Sequence, residues 1–188
     1  MPTDTLSFSI PTSTNEDRAK RLIDASIFWQ ERISNDTSVA ALTYSVKGEA
    51  LGAVATKITA GKHVFHIDEP AALAGDDVAA SPVEIALGAF IACQVVVYRL
   101  YAQGLGITID SIEATAEGDL DVRGLFGIDE SVRPGFSEIR IITRIAGPES
   151  DERYKQLQEA VETHCPVLDL FANQTPIVGA LVIDRSST

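Results

Sequence analysis

Hydrophobic and polar positions change period several times along this chain, and each change predicts an element. Between Asn15 and Ile33, residues Ala19, Leu22, Ile23, Ile27 and Ile33 fall mostly on one helical face, with Asp17, Lys20, Asp24 and Glu31 elsewhere. This predicts an amphipathic helix with Thr14 or Asn15 as its N-cap. From Ser38 to Ile67 the pattern shortens to β-type runs, Val39–Val46, Ala50–Ile58 and Lys62–Ile67, punctuated by Gly48, Gly52 and Gly61. Residues Asp68–Ala80 are rich in Pro, Gly and Asp and predict a loop inside the domain.

The strongest helix signal starts at Ser81. Ser81 is a good N-cap, Pro82 suits the first helical position and Glu84 completes a capping box. From Val83 to about Gln103 the residues are apolar around nearly the whole circumference, so the helix is expected to be enclosed by other layers or by another subunit. Gly104 and Gly106 end it. Two longer β runs follow, Ile107–Gly124 and Phe136–Ala146, as a hairpin. A capped helix runs from Ser150 to His164, with Tyr154, Leu157, Val161 and Cys165 as its apolar stripe. A short helical or turn stretch starts at Pro166, and Pro176–Ile183 reads as a last strand. Helices and strands do not alternate strictly, which favours α+β over a parallel α/β fold.

A length of 188 residues suits one domain, preceded by an N-terminal extension over residues 1–37. The net charge of −12 argues against nucleic acid and anionic membrane surfaces as partners, since both attract Lys and Arg. Met1–Thr14 is polar, so no signal peptide is expected. The longest apolar or glycine run, Ile85–Cys93, is too short for a bilayer, and Gln94 and Arg99 then interrupt its helix. A cytoplasmic protein is the resulting expectation. The sequons at Asn35 and Asn173 then carry no meaning.

Candidate chemistry reduces to Cys93 and Cys165. In a reducing compartment they are neither a disulfide scaffold nor, as two ligands alone, a structural zinc site. They are inert core residues or reactive thiols. Cys93 lies about 18 Å along the long helix from its N-cap, beyond useful reach of the helix dipole. Lowering any thiol pKa by two units takes about 2.7 kcal/mol, so a cation from elsewhere in the fold would have to activate it. Cys165 precedes Pro166 at a helix C-terminus, where the dipole raises a thiol pKa; it suits a second, resolving role. His63 and His66 alternate to opposite faces of a strand, which argues against a shared metal. His164 reads as a helix-end residue. No P-loop, GxGxxG, GxSxG or HExxH pattern is present, and no cofactor is expected.

Three blocks resemble the OsmC/Ohr family of thiol-dependent peroxidases and their OsmC-like relatives. The first is Asp68-Glu69-Pro70, Gly75-Asp76-Asp77, Ser81-Pro82-Val83-Glu84 and Ala89-Phe90-Ile91-Ala92-Cys93. The second runs from Gly118-Asp119-Leu120-Asp121 through Gly127 to Arg133-Pro134-Gly135-Phe136, and the third is His164-Cys165-Pro166-Val167 before the Pro176 run. Together they span about residues 44–183 and leave the N-terminal helix outside. The resemblance implies an OsmC-like domain over residues 38–188, with antiparallel or mixed sheets around a long buried helix in an intertwined homodimer. It further implies Cys93 as peroxidatic and Cys165 as resolving thiol, organic hydroperoxides as substrates and a lipoyl-type dithiol as reductant. The chain departs from the peroxidase pattern at two positions. No arginine lies between Val39 and Ile67, only Lys47, Lys57 and Lys62; and Val83, not glutamate, follows Pro82. The alternatives are a non-enzymatic OsmC-like dimer binding a small apolar ligand, or a structural dimer with inert thiols.

Overall fold

In the computed structural model, which describes Ile10–Arg185, two separate antiparallel sheets accompany two long helices and three shorter ones. Helix α1 (Asn15–Asn35) has Thr14, one of the two expected residues, as its N-cap, and Asp17 completes a capping box with it. The first nine residues of the expected extension lie outside the described residues. Strands β1 (Val46–Leu51), β2 (Ala55–Ala60) and β3 (His63–Ile67) form a meander in the order β1-β2-β3. Two boundaries differ from the sequence reading. Thr37–Ala40 is a 3-10 turn capped by Asp36, so the run expected from Val39 becomes a strand only at Val46. The run expected over Ala50–Ile58 straddles a hairpin, because Gly52, at φ 52°, takes the left-handed geometry that turns the chain. Gly48 sits within β1, paired with Ile58.

The loop from Asp68 to Ala80 is wound around one buried carboxylate. Asp68 is 2% exposed, and its Oδ2 accepts from the backbone N–H of Asp76 (3.1 Å) and Val78 (3.2 Å). Backbone N–H donors, that of Glu69 foremost, hold its carboxyl below the usual range. Gly75 is obligatory here, since a Cβ would lie 1.7 Å from the Glu69 carbonyl oxygen.

Helix α2 (Pro82–Leu105) leaves this loop through the expected capping box. Ser81 Oγ accepts from the Glu84 N–H at 3.4 Å, and the Glu84 carboxylate accepts from the Ser81 N–H at 2.8 Å. Phe90, Gln94, Val97, Tyr98 and Ala102 bury one face, whereas Val83, Val96 and Leu100 remain exposed. Within the chain the all-round apolar helix is thus covered on one side, not enclosed as its sequence suggests. By length and composition α2 could cross a membrane, with a mean hydropathy of 1.7 over its best window, so the shortness of the Ile85–Cys93 run does not by itself decide the matter. Its buried face is the core of this fold.

Strands β4 (Ser111–Asp119) and β5 (Glu138–Ala146) pair in register from Ser111–Ala146 to Asp119–Glu138, and both alternate exposed and half-buried positions along their length. The first strand of this hairpin ends earlier than expected, because a short helix α3 (Val122–Leu125), capped by Asp121, interrupts it. Helix α4 (Asp151–His164) packs on α2, with Leu157 and Val161 fully buried. Arg153 donates to the carbonyls of Leu105 and Gly106 at 2.9 and 3.1 Å, neutralising the C-terminal end of α2. Helix α5 (Pro166–Ala172) follows directly and also meets α2. The strand expected over Pro176–Ile183 does not form: among the described residues no strand edge reaches it, and Ile177, Val178 and Leu181 are 86–96% exposed. Its β propensity has no ladder to join.

Candidate functional site: two thiols at the junction of α2, α4 and α5

The stripe on α4 explains where Cys165 goes. Leu157, Val161 and Cys165 recur every four residues, lie on one helical face and are buried together against α2. On α2, Cys93 lies between Phe90 and Val97 on the side that meets this cluster; it is half-buried, and Cys165 is 2% exposed. Both are free thiols, and the Cys93 sulfur is close enough to Cys165 to perturb its titration. Residues 72 positions apart are therefore neighbours in the core.

The electrostatics of Cys165 partly differ from the sequence argument. Its pKa is raised, as expected, but burial is the largest cause and the neighbouring Cys93 adds to it. The backbone N–H groups of Leu168 and Val167 oppose the rise. They do so because Cys165 is at once the last cap of α4 and the N-cap of α5, so the positive end of a second helix points at it. Pro166 causes both features: it cannot continue α4, and it suits the first position of α5.

Around the pair, Tyr101 of α2 stacks on His164 with ring centroids 4.7 Å apart, and His164 Nδ1 lies 2.8 Å from the Ala160 carbonyl oxygen. Sequence pattern did not single out Tyr101, because a lone aromatic on an apolar helix has no signature. Two clefts flank the helices. One of about 510 Å³ is lined by Gln94, Tyr98, Thr143 and Glu162, and one of about 550 Å³ by Arg133, Phe136, Leu170 and Phe171; Phe90, Ile141 and Leu168 line both. Neither thiol lines either cleft.

Two of the three lysines between Val39 and Ile67 are engaged away from the thiols. Lys47 and Lys57 both pair with Glu49 across β1 and β2, at 2.8 and 3.4 Å, on a sheet that makes no substantial contact with α2. Glu84 is occupied by its cap, and its hydrogen bonds with the Ser81 side chain and backbone hold its carboxyl below the usual range. His63 and His66 take different positions on β3, opposite Ala60 and Lys57. Among the described residues no cluster of His, Cys, Asp or Glu is fit for a metal ion.

The model of the family described as OsmC-like protein matches residues 75–178, more than half of the chain. No curated protein matches it in sequence. Among solved structures, an OsmC-like protein from Mycoplasma pneumoniae is similar with a TM-score of 0.60 at 19% identity, over 70% of this chain and 88% of that one. An organic hydroperoxide resistance protein OsmC from Legionella pneumophila gives 0.54 at 18% identity, over 69% and 89%. An organic hydroperoxide resistance protein from Elizabethkingia anophelis gives 0.53 at 21% identity, over the same shares. With Cys93 on a long capped helix and Cys165 packed against it, a matching α+β architecture and a family model covering residues 75–178, this chain belongs to the OsmC-like family.

Proposed function

We propose that the protein is a thiol-dependent peroxidase that reduces organic hydroperoxides in oxidative-stress defence. The observation that carries the reading is the meeting of Cys93 and Cys165 in the core, one half-buried and one buried. In the reaction, the Cys93 thiolate attacks the terminal peroxide oxygen, the O–O bond breaks, and the alcohol leaves once protonated. Cys93 is then a sulfenic acid. The Cys165 sulfur attacks it, a disulfide forms and water departs. A lipoyl-type dithiol reduces the disulfide by exchange and becomes a disulfide itself. The raised pKa of Cys165 disfavours it as the first nucleophile and supports this order.

A cytoplasmic homodimer is part of the proposal, and so is a division into an N-terminal extension (1–37) and an OsmC-like domain (38–188). Val83, Val96 and Leu100 on the open side of α2, the meander without substantial contact to α2 and the bare Ile177–Ile183 segment together favour a second copy as the missing layer. A second reading, non-catalytic binding of a small apolar ligand, is favoured by the two clefts around Phe90 that contain neither thiol. Consumption of cumene hydroperoxide with dihydrolipoamide separates them. The peroxidase reading expects turnover by the wild type, none by Cys93→Ser, and a single turnover by Cys165→Ser. Wild-type protein without turnover, or full activity in Cys93→Ser, contradicts it.

A further inference from the structure

The cleft between α1 and α2 lies away from the thiols and has a different chemistry. It measures about 190 Å³ and is lined by Asn15, Arg18 and Leu22 of α1, Arg99 and Gln103 of α2, and Thr108 beyond. Of the lining residues, none is acidic, in a chain with 27 Asp and Glu against 15 Lys and Arg. Both arginines are half-buried, and among the described residues neither forms an ion pair. Each guanidinium is instead held by a neutral oxygen: Arg99 donates to the Ile109 carbonyl at 3.0 Å, and Arg18 to Asn15 Oδ1 at 3.0 Å. These bonds orient the groups and leave their other N–H donors free. Burial, and then the charge of Arg18, lower the Arg99 pKa, so the two cations act on one another across the gap.

Two like charges facing one gap with no carboxylate among its lining residues are unfavourable in the empty protein and favourable around a dianion. We propose that this cleft binds a phosphate-type dianion, either inorganic phosphate or the phosphoryl group of a small phosphorylated molecule, between Arg18 and Arg99. At about 190 Å³ the cleft has room for a phosphoryl group. The site is independent of the peroxidase reading. Arg99 is six residues beyond Cys93, which places it about 120° away around α2. Arg18 belongs to the helix outside the matched residues 75–178.

Titration calorimetry on the full chain, with inorganic phosphate and with glycerol phosphate in chloride buffers of matched ionic strength, tests the site. Saturable binding of either is expected, and the tighter of the two identifies the source of the phosphoryl group. Arg18→Gln and Arg99→Gln should each weaken it at least tenfold, while Lys20→Gln, which removes an exposed charge paired with Asp24, should leave it within twofold. Should Arg99→Gln fail to fold, Arg18→Gln carries the test through a sign reversal. Without phosphate it should melt at or above the wild-type temperature, because a repulsion is relieved; in saturating phosphate it should melt below. No saturable binding, equal binding by wild type and both arginine variants, or the same order of melting in both buffers overturns the proposal.

Discussion

Leu157→Ala probes the packing that brings the thiols together. Leu157 is fully buried in α4, two turns before Cys165 on the same stripe, and with Val161 it forms the contact that sets α4 against α2. Removing three carbons from a site with no exposure costs the lost transfer free energy and leaves a cavity, about 3 kcal/mol within a usual range of 2–5. For a chain of this length each kcal/mol shifts the melting temperature by roughly 2–4 °C, so a fall of about 6–12 °C is expected. Circular dichroism melts at 222 nm read it, and hydroperoxide-driven disulfide formation in the still-folded variant should slow, since the Cys165 end of α4 is no longer seated. A drop of under 2 °C with an unchanged rate of disulfide formation refutes the reasoning, because the stripe would then be neither core nor positioning element.

Oxidation of the pair closes a loop of 72 positions, worth about 4 kcal/mol of stability on loop-entropy grounds, or a melting temperature raised by roughly 8–16 °C. Comparison of oxidised and reduced protein, with Cys165→Ser as the control that should not shift, checks it. The Cys165 pKa is raised in the folded protein, so its neutral form is the favoured one. Its contribution to stability is intact below the ordinary thiol value of 9.0 and is lost as pH climbs from there through the raised value. Denaturant melts from pH 8 to 11 should show this alkaline loss in wild type and less of it in Cys165→Ala. Gly118→Val should destabilise by about 1–3 kcal/mol through overpacking, since a Cβ there would lie 2.6 Å from the Phe136 ring; an unchanged urea midpoint would contradict this.

Elements with local signals were legible in the sequence. The N-cap at Thr14, the capping box at Ser81, the stripe through Leu157 and Val161 and the Pro166 stop each depend on residues within a few positions of one another, and each stands as read. Elements that depend on distant partners were not. Pro176–Ile183 has strand composition but no edge to pair with inside the chain, and α2 has an apolar circumference that one chain covers on one face only. The cysteines were singled out from residue type and family resemblance, while their proximity is a property of the fold that no spacing of 72 residues encodes. The same holds for Arg99. It is visible in the sequence as an interruption of an apolar helix, and only the approach of α1 puts Arg18 opposite it.

Mass spectrometry of the full chain before and after one equivalent of cumene hydroperoxide tests the central claim most directly. The account predicts a loss of two hydrogens per chain, and peptide mapping should place an intramolecular bond between Cys93 and Cys165. Oxidation that stops at a sulfinic or sulfonic acid on Cys93, or leaves both thiols free, would contradict it.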